Sequence, residues 1–438
     1  MRIISREIRS KFEEFSIPQL KPQNISAIIP TVSATPFARY GIHAYYFLNF
    51  KTSQGLCVKV RHKDIIVPGL KGFQRANYRQ YRILPLARLL FQKYHYGLNF
   101  LEHIYTRTIP HTVTELGNGR FIIGLSAYYG YLLVDCRKRS VVYRMMDKND
   151  EEHVFGSVQW LDAGSRSFYC MTYSLKDSFK KTLDPHEKVF SRVLKYENET
   201  GETQEVWSGY FTDYIHDILI NADKRYLVAG EFGRFFDKNN TIIPTKTLIL
   251  DMQNRKEWVL TSIPNGAHAQ FDPDDPEIVY FSNHNFAFER NRFLGRFTKG
   301  PYGVKFLGPA SVHKYRLTPQ GPEKIGVFSS PDLFRMTNFH VFQCAGRKVI
   351  AASGAPNFIF IADAQNLQLI KKIEISDPDG PSYTGTFSYS PDGQKLYVQN
   401  TKSFQVVDLE TGRPDYIRSL RFDHSCGNHM LVSGDTDW

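Results

Sequence analysis

The chain has 438 residues, with 55 Lys and Arg against 44 Asp and Glu, a formal net charge of +11. At 42% hydrophobic and 23% charged it has the composition of a globular protein, not a disordered one. There is no apolar run of about 18 residues and no apolar segment behind the N-terminal MRIISREIRS. Neither a membrane-spanning helix nor a secretory signal is therefore expected, and the cytoplasm is the simplest compartment. Cys57, Cys136, Cys170, Cys344 and Cys426 show no CxxC spacing, which argues against a disulfide framework and a Cys-rich zinc site.

The charge is uneven along the chain. Residues 1–100 hold 16 Lys and Arg against four acids, a net of +12, and the remainder is nearly balanced at 39 and 40. A basic N-terminal extension, residues 1–105, is therefore expected to differ in role from residues 106–438. Its densest stretch, residues 71–96, interleaves Arg75, Arg79, Arg82, Arg88 and Lys93 with Tyr78, Tyr81, Phe91, Tyr94 and Tyr96. The pattern predicts an amphipathic helix near residues 80–96, with Pro85 close to its start. Two expectations stand side by side. The helix packs its apolar stripe on the main domain, or it makes a peripheral membrane contact and leads a lipophilic substrate inward. The protein would then be membrane-associated. Nucleic acid is not the expected partner.

From about residue 105 the pattern changes to short β segments separated by turn signals. One unit recurs, starting at His111, Ser157, His216, His268, His340, Thr386 and His429, with separations of 46, 59, 52, 72, 46 and 43 residues. This is the period of a β-propeller blade. The expected fold is all-β: a seven-bladed β-propeller carrying the basic, partly helical extension. In SPDG-type turns, Asp or Asn with Gly supplies the positive φ of a tight hairpin. The seventh unit starts only nine residues before the C-terminus. Its missing strands are expected from the N-terminal side, for example from His43–Val60, which would close the ring and remove its open edges.

Five of the seven units start with His. Inner strands of a propeller line one channel, so His111, His216, His268, His340 and His429 form a candidate axial metal site for a divalent ion. The bland counterpart is a set of inner-strand histidines that bond neighbouring carbonyls. Measured from the turn, His111 and His216 come one residue early, and a one-residue slip turns a side chain to the other face. No Walker loop, GxGxxG after a strand, GxSxG elbow or HExxH occurs, so nucleotide, hydrolase and zincin readings lack support. Calcium is a further candidate on the acidic loops 271–276 and 377–380, whose other reading is a solvated turn.

The stretch GAHAQFDPDDPEIVYFSNHNFAF (Gly266–Phe288), together with TNFHVFQCAGRKVIAA (Thr337–Ala352) and NHMLVSGD (Asn428–Asp435), resembles the His-bearing blades of the oligogalacturonate lyase family. The resemblance implies a seven-bladed propeller with manganese held by His and Gln side chains, and proton abstraction from an anionic sugar beside it. By matching motif it points to His268, Gln270, His284, His340, Gln343 and His429. The family's acidic residue after the second His is Asn285 here, and Arg290 and Arg292 match its Arg-aromatic stretch only loosely. A second, weaker resemblance, through YIHDILINADKRYLV (Tyr214–Val228), is to carotenoid cleavage oxygenases, and it implies iron held by four His. The expectation is a metal-dependent enzyme of lyase or cyclase type acting on a small anionic or lipophilic substrate. His284 and Tyr214 would handle protons and Arg292 would clamp a carboxylate. The alternatives are an iron oxygenase and a non-catalytic interaction propeller.

Overall fold

In the computed structural model the described residues are 3–17, 25–31, 42–65, 110–125, 130–146, 153–160, 167–174, 177, 180–181, 183–197, 200–213, 215–231, 233–263, 268–290, 304–334, 336, 338–354, 357–375, 384–400, 403–418, 430–434, 436 and 438. The segment 71–96, with its expected helix, lies outside them. Among the described residues no helix is long and apolar enough to cross a membrane. Among the described residues a helical turn runs over His62–Ile65, and residues 177, 180, 181 and 183 are also helical.

The chain forms small antiparallel meander sheets. Sheet A runs Pro110–Gly117, Arg120–Leu125, Gly130–Asp135, Ser140–Met146, with Ile3–Glu7 added at its outer edge. Sheet B runs His153–Trp160, Ser167–Ser174, Val189–Glu197, Thr203–Phe211. Sheet C runs Ile215–Ile220, Tyr226–Glu231, Thr247–Asp251, Lys256–Leu260. Sheet D runs Ala269–Phe271, Ile278–Asn283, Ser311–Thr318, Gly321–Ser329. Sheet E runs Phe339–Cys344, Arg347–Gly354, Phe358–Asp363, Leu369–Glu374. Sheet F runs Thr384–Tyr389, Lys395–Asn400, Phe404–Asp408, Pro414–Arg418. Sheet G joins the two termini: Leu431–Ser433, then Ser26–Thr31, Ile42–Asn49, Gln54–Arg61 and Ser10–Ser16. A small accessory sheet, Ile242–Ile243, Phe235–Phe236, Phe286–Phe288 and Val304–Phe306, is built from loops of C and D.

The burial pattern explains why these segments are strands. Second strands such as YLVAGE (Tyr226–Glu231) and IVYFSN (Ile278–Asn283) are buried throughout, because both faces of each sheet meet a neighbouring sheet. Such strands read as unbroken apolar runs. The outer strands Lys256–Leu260 and Leu369–Glu374 are mostly exposed and carry charged residues such as Lys256, Glu257, Lys372 and Glu374. Tight hairpins close on turn chemistry. In Ser390-Pro-Asp-Gly393, Asp392 Oδ1 accepts from Gln394 N–H (3.0 Å), and Gly393 takes φ +67°.

Successive sheets lie against one another, with the core divided among their interfaces. Sheet G lies between F and A. Its Phe47 ring sits 5.3 Å from Phe121 of sheet A and 5.9 Å from Trp438, and its Phe50 ring sits 5.4 Å from Tyr397 of sheet F. The residue-105 boundary separates charge, while backbone pairing crosses it at both ends: Ile3 pairs with Met146 and Ser26 with Ser433. The strand beside Leu431–Ser433 is thus Ser26–Thr31, with the His43–Val60 stretch one strand further out.

Two predictions follow from this packing. Phe47 is fully buried between sheets, so Phe47→Ala should lower stability by about 3–5 kcal/mol in urea unfolding, and a loss below about 1 kcal/mol contradicts the packing. The second concerns His313, buried in sheet D with Nε2 3.0 Å from Ser311 Oγ and, among the described residues, no hydrogen-bond partner at Nδ1. Burial, with Lys324 nearby, holds its imidazole down at about 4. The unfolded chain binds this proton more readily, so the stability is full above about pH 6.5 and is lost as the pH falls towards about 4. Unfolding measured across that window should slope accordingly and flatten in His313→Gln; an equal slope in the variant contradicts it.

Candidate functional site

The six repeat starts from His111 to Thr386 fall in or next to the first strand of a meander, but their equivalent residues are not all histidines. Asp217, His268 and Thr386 stand at the same distance before the hairpin-closing residues Asn221, Asp272 and Ser390. Asn338 matches His268 from the other end: His268 N–H donates to Ser282 Oγ and Asn338 N–H to Ser353 Oγ, both at 3.0 Å. His340 therefore lies two residues further along its strand than His268 does. His111 and His216 fall at β-bulges, between Pro110 and Thr112 and between Ile215 and Asp217. Similar irregularities follow Phe155 in sheet B and Thr384 in sheet F. One extra residue at the same place in four sheets accounts for the early histidines, and bulges often re-aim side chains next to functional sites.

At this level the inner strands reach across to the next sheet. Asp217 of sheet C accepts from His268 Nδ1–H at 2.9 Å. Gln270 of sheet D bonds the Val341 peptide of sheet E with both amide atoms, accepting from its N–H (2.8 Å) and donating to its C=O (3.1 Å). His340 Nε2 donates to Phe387 C=O of sheet F at 2.8 Å. Thr386 Oγ1 accepts from Met430 N–H at 3.3 Å, and Ser433 Oγ donates to Glu115 of sheet A. Gln270 and His340 thus join neighbouring sheets, the bland alternative for inner-strand polar residues. Gln343 lies at the far end of its strand, donating to Asp274 at 2.6 Å, away from His268.

The structure does bring two of the expected residues together. His268 and His284 are both buried, with ring centroids 5.2 Å apart at 70°. Each bonds through Nδ1 to a strong acceptor: His268 to the Asp217 carboxylate, and His284 to Met336 C=O at 2.5 Å. A proton held on Nδ1 leaves the lone pair on Nε2, and in His284 that nitrogen is 3.3 Å from Ser282 Oγ. Asn285, which follows, is left-handed at φ +49°, a conformation uncommon for a non-glycine residue. It persists because the side chain is tied on both atoms: Oδ1 accepts from Arg234 Nη2 (3.1 Å) and Nδ2 donates to Pro309 C=O (3.0 Å). Arg234 Nε also donates to Phe286 C=O, and burial pulls its guanidinium down to about 10.

Tyr214, Arg292 and His429 lie outside the described residues, as do residues 377–380. The acidic loop 271–276 is internally satisfied: Asp272 Oδ1 accepts from Asp274 N–H (3.0 Å) and Asp275 N–H (3.2 Å) and meets Lys348 Nζ at 2.5 Å. Among the described residues no group of three or more His, Cys, Asp or Glu is clustered for a metal. Asp217 was not singled out from sequence, although its place beside His216 in the His-Asp dipeptide was visible.

No protein-family model and no curated protein matches the chain. Among solved structures it is similar to Kuenenia stuttgartiensis hydrazine synthase, at 11% identity over 69% of this chain and 77% of that one, with a TM-score of 0.45. It is also similar to a chain of the mitotic checkpoint complex, at 10% identity over 54% and 61%, with a TM-score of 0.36. At these values neither likeness bears on activity.

The Asp217 contact predicts the tautomer of His268. Nitrogen-15 NMR at neutral pH should find the Nδ1–H form in the native protein and a shift towards Nε2–H in Asp217→Ala. The same tautomer in both proteins contradicts the assignment.

Proposed function

We propose that sheets A to G are the blades of a seven-bladed β-propeller, and that the chain is a divalent-metal-dependent enzyme. Its site would lie where the inner strands of sheets C and D begin, and its substrate would be a small anionic or lipophilic molecule. The ring reading is supported by the inner-strand contacts that run from sheet A round to G and back to A and by the joining of both termini in sheet G. Radial repetition of this kind leaves only short, protected edges.

One observation carries the functional reading: His268 and His284 lie side by side with both Nδ1 protons committed to acceptors. Ligating histidines are usually held in this way, with the far nitrogen on a carboxylate or carbonyl that fixes the ring and raises its basicity. Two imidazoles suit iron by donor chemistry, manganese is what the lyase resemblance implies, and a nitrogen donor pair does not favour calcium. His268 and His284 would hold the ion through Nε2, and when bound it would supply Lewis-acid stabilisation of negative charge developing on the substrate. Asp217 keeps the His268 proton on Nδ1. Met336 C=O does the same for His284, and Ser282 Oγ offers a hydroxyl beside it. Lyase- or cyclase-type proton removal is the chemistry proposed, with Tyr214 and Arg292 as its proton-handling and carboxylate-binding candidates.

Metal analysis of the purified protein tests this. Stoichiometric manganese or iron, lost in His268→Ala/His284→Ala, is the expected result. A metal-free protein whose thermal midpoint does not respond to added manganese contradicts it and favours an interaction scaffold. Bound iron with an oxygen-reactive spectrum would move the chemistry from elimination to oxygenation.

A further inference from the structure

On the strand that pairs with the Asp217 strand lies a buried carboxyl group that this reading of the site does not use. Glu231 ends the second strand of sheet C and is fully buried. Its Oε1 accepts from Thr212 N–H and from Asp213 N–H (3.3 Å), and its Oε2 accepts from Lys246 N–H. Asp213 Oδ2 in turn accepts from Gly233 N–H at 3.1 Å. Lys181, also buried, donates from Nζ to Pro185 C=O, lies 4.6 Å over the Phe235 ring and feels the charges of Asp213 and Glu231.

The place of this clasp gives it a consequence for the site. Glu231 pairs with Ile215, the residue before the bulge, and Asp217 pairs with Gly230 just beyond it. Ile215, Ile218 and Ile220 all enter one core cluster. In a strand of strict alternation Ile215 would face away from the other two, so the extra residue at His216 is what lets all three be buried. The bulge interrupts the ladder, and the N–H groups of Thr212 and Asp213 at its mouth need an acceptor away from water. Glu231 supplies it, and it ties the same point to Lys246 at the start of the third strand.

We infer that Glu231 is a positioning residue of the site: its two acceptor oxygens fix the entry of the inner strand and so aim Asp217 at His268. It acts through Asp217 and makes no contact with substrate. Burial pushes its carboxyl up to about 8 against the N–H donors of Lys246 and Thr212, consistent with a group held by geometry against its solvation cost.

The inference rests on the functional reading above, and its test separates the two. Glu231→Gln keeps the size of the side chain and replaces one acceptor oxygen by a donor. In metal-free protein, nitrogen-15 NMR should show His268 leaving the Nδ1–H form nearly as far as in Asp217→Ala. Manganese affinity should fall roughly ten- to a hundredfold, and the double variant should be no weaker than Asp217→Ala alone. A folded Glu231→Gln with the native His268 tautomer overturns the inference. Should that variant not fold, Glu231→Asp takes its place: an intermediate tautomer population supports the inference, and an unaltered one overturns it. Native protein that binds neither manganese nor iron overturns the functional reading alone, and the tautomer shift still decides the role of Glu231.

Discussion

The hydrogen bond from one inner strand to the next is the interaction on which the arrangement depends. Each sheet has two apolar faces, and dispersion alone would let neighbouring sheets slide against each other. Polar side chains on the inner strands prevent this, because a buried donor or acceptor left without a partner costs about 1–3 kcal/mol. Asp217, Gln270, His340, Thr386 and Ser433 each find that partner on the following sheet. The register between sheets is thereby fixed at the end where the candidate site lies. Sheet G extends the same logic to the termini. Ser26 and Ser433 pair by backbone, and Asn49 Nδ2 donates to Thr436 C=O at 2.8 Å.

The site follows from that seam. The same kind of contact serves two purposes, according to what the reaching group is. Where it is Gln270 against a peptide, both partners are consumed and the result is structural. Where it is Asp217 against His268, a carboxylate meets an imidazole, and the other imidazole nitrogen takes on a defined character. His284 reaches the same condition through a carbonyl, from a loop held by the left-handed Asn285. Asn285 stands where the lyase resemblance implies an acid, and here its side chain is spent on holding that loop to Arg234 and Pro309.

Much of the architecture was legible in the sequence. Buried second strands such as YLVAGE and IVYFSN stand out as apolar runs, and turns such as Ser390–Gly393 carry the Asp-Gly signal, so the starts of the units could be counted. The register of the histidines was not legible in the same way. The one-residue offset of His111 and His216 can be counted from the turn, but a bulge adds a residue without a composition signal, so its cause cannot, and in sheet C Asp217 takes the place of His268. His340 was aligned on its own identity, where Asn338 is the matching residue. Glu231 carries no signal in the sequence, because an acid at the end of an apolar strand looks like the start of a loop. Only the structure shows the N–H groups of Thr212, Asp213 and Lys246 converging on it.

The net charge of +12 falls on the first hundred residues, whereas the site residues Asp217, His268, Ser282 and His284 come from the nearly balanced remainder. The most direct test of the account is manganese-edge anomalous diffraction from crystals of the full chain grown with manganese. The account predicts one strong anomalous peak bound by Nε2 of both His268 and His284, with Asp217 still on His268 Nδ1. An empty site with both imidazoles in their present contacts, in crystals that hold manganese elsewhere, would contradict it.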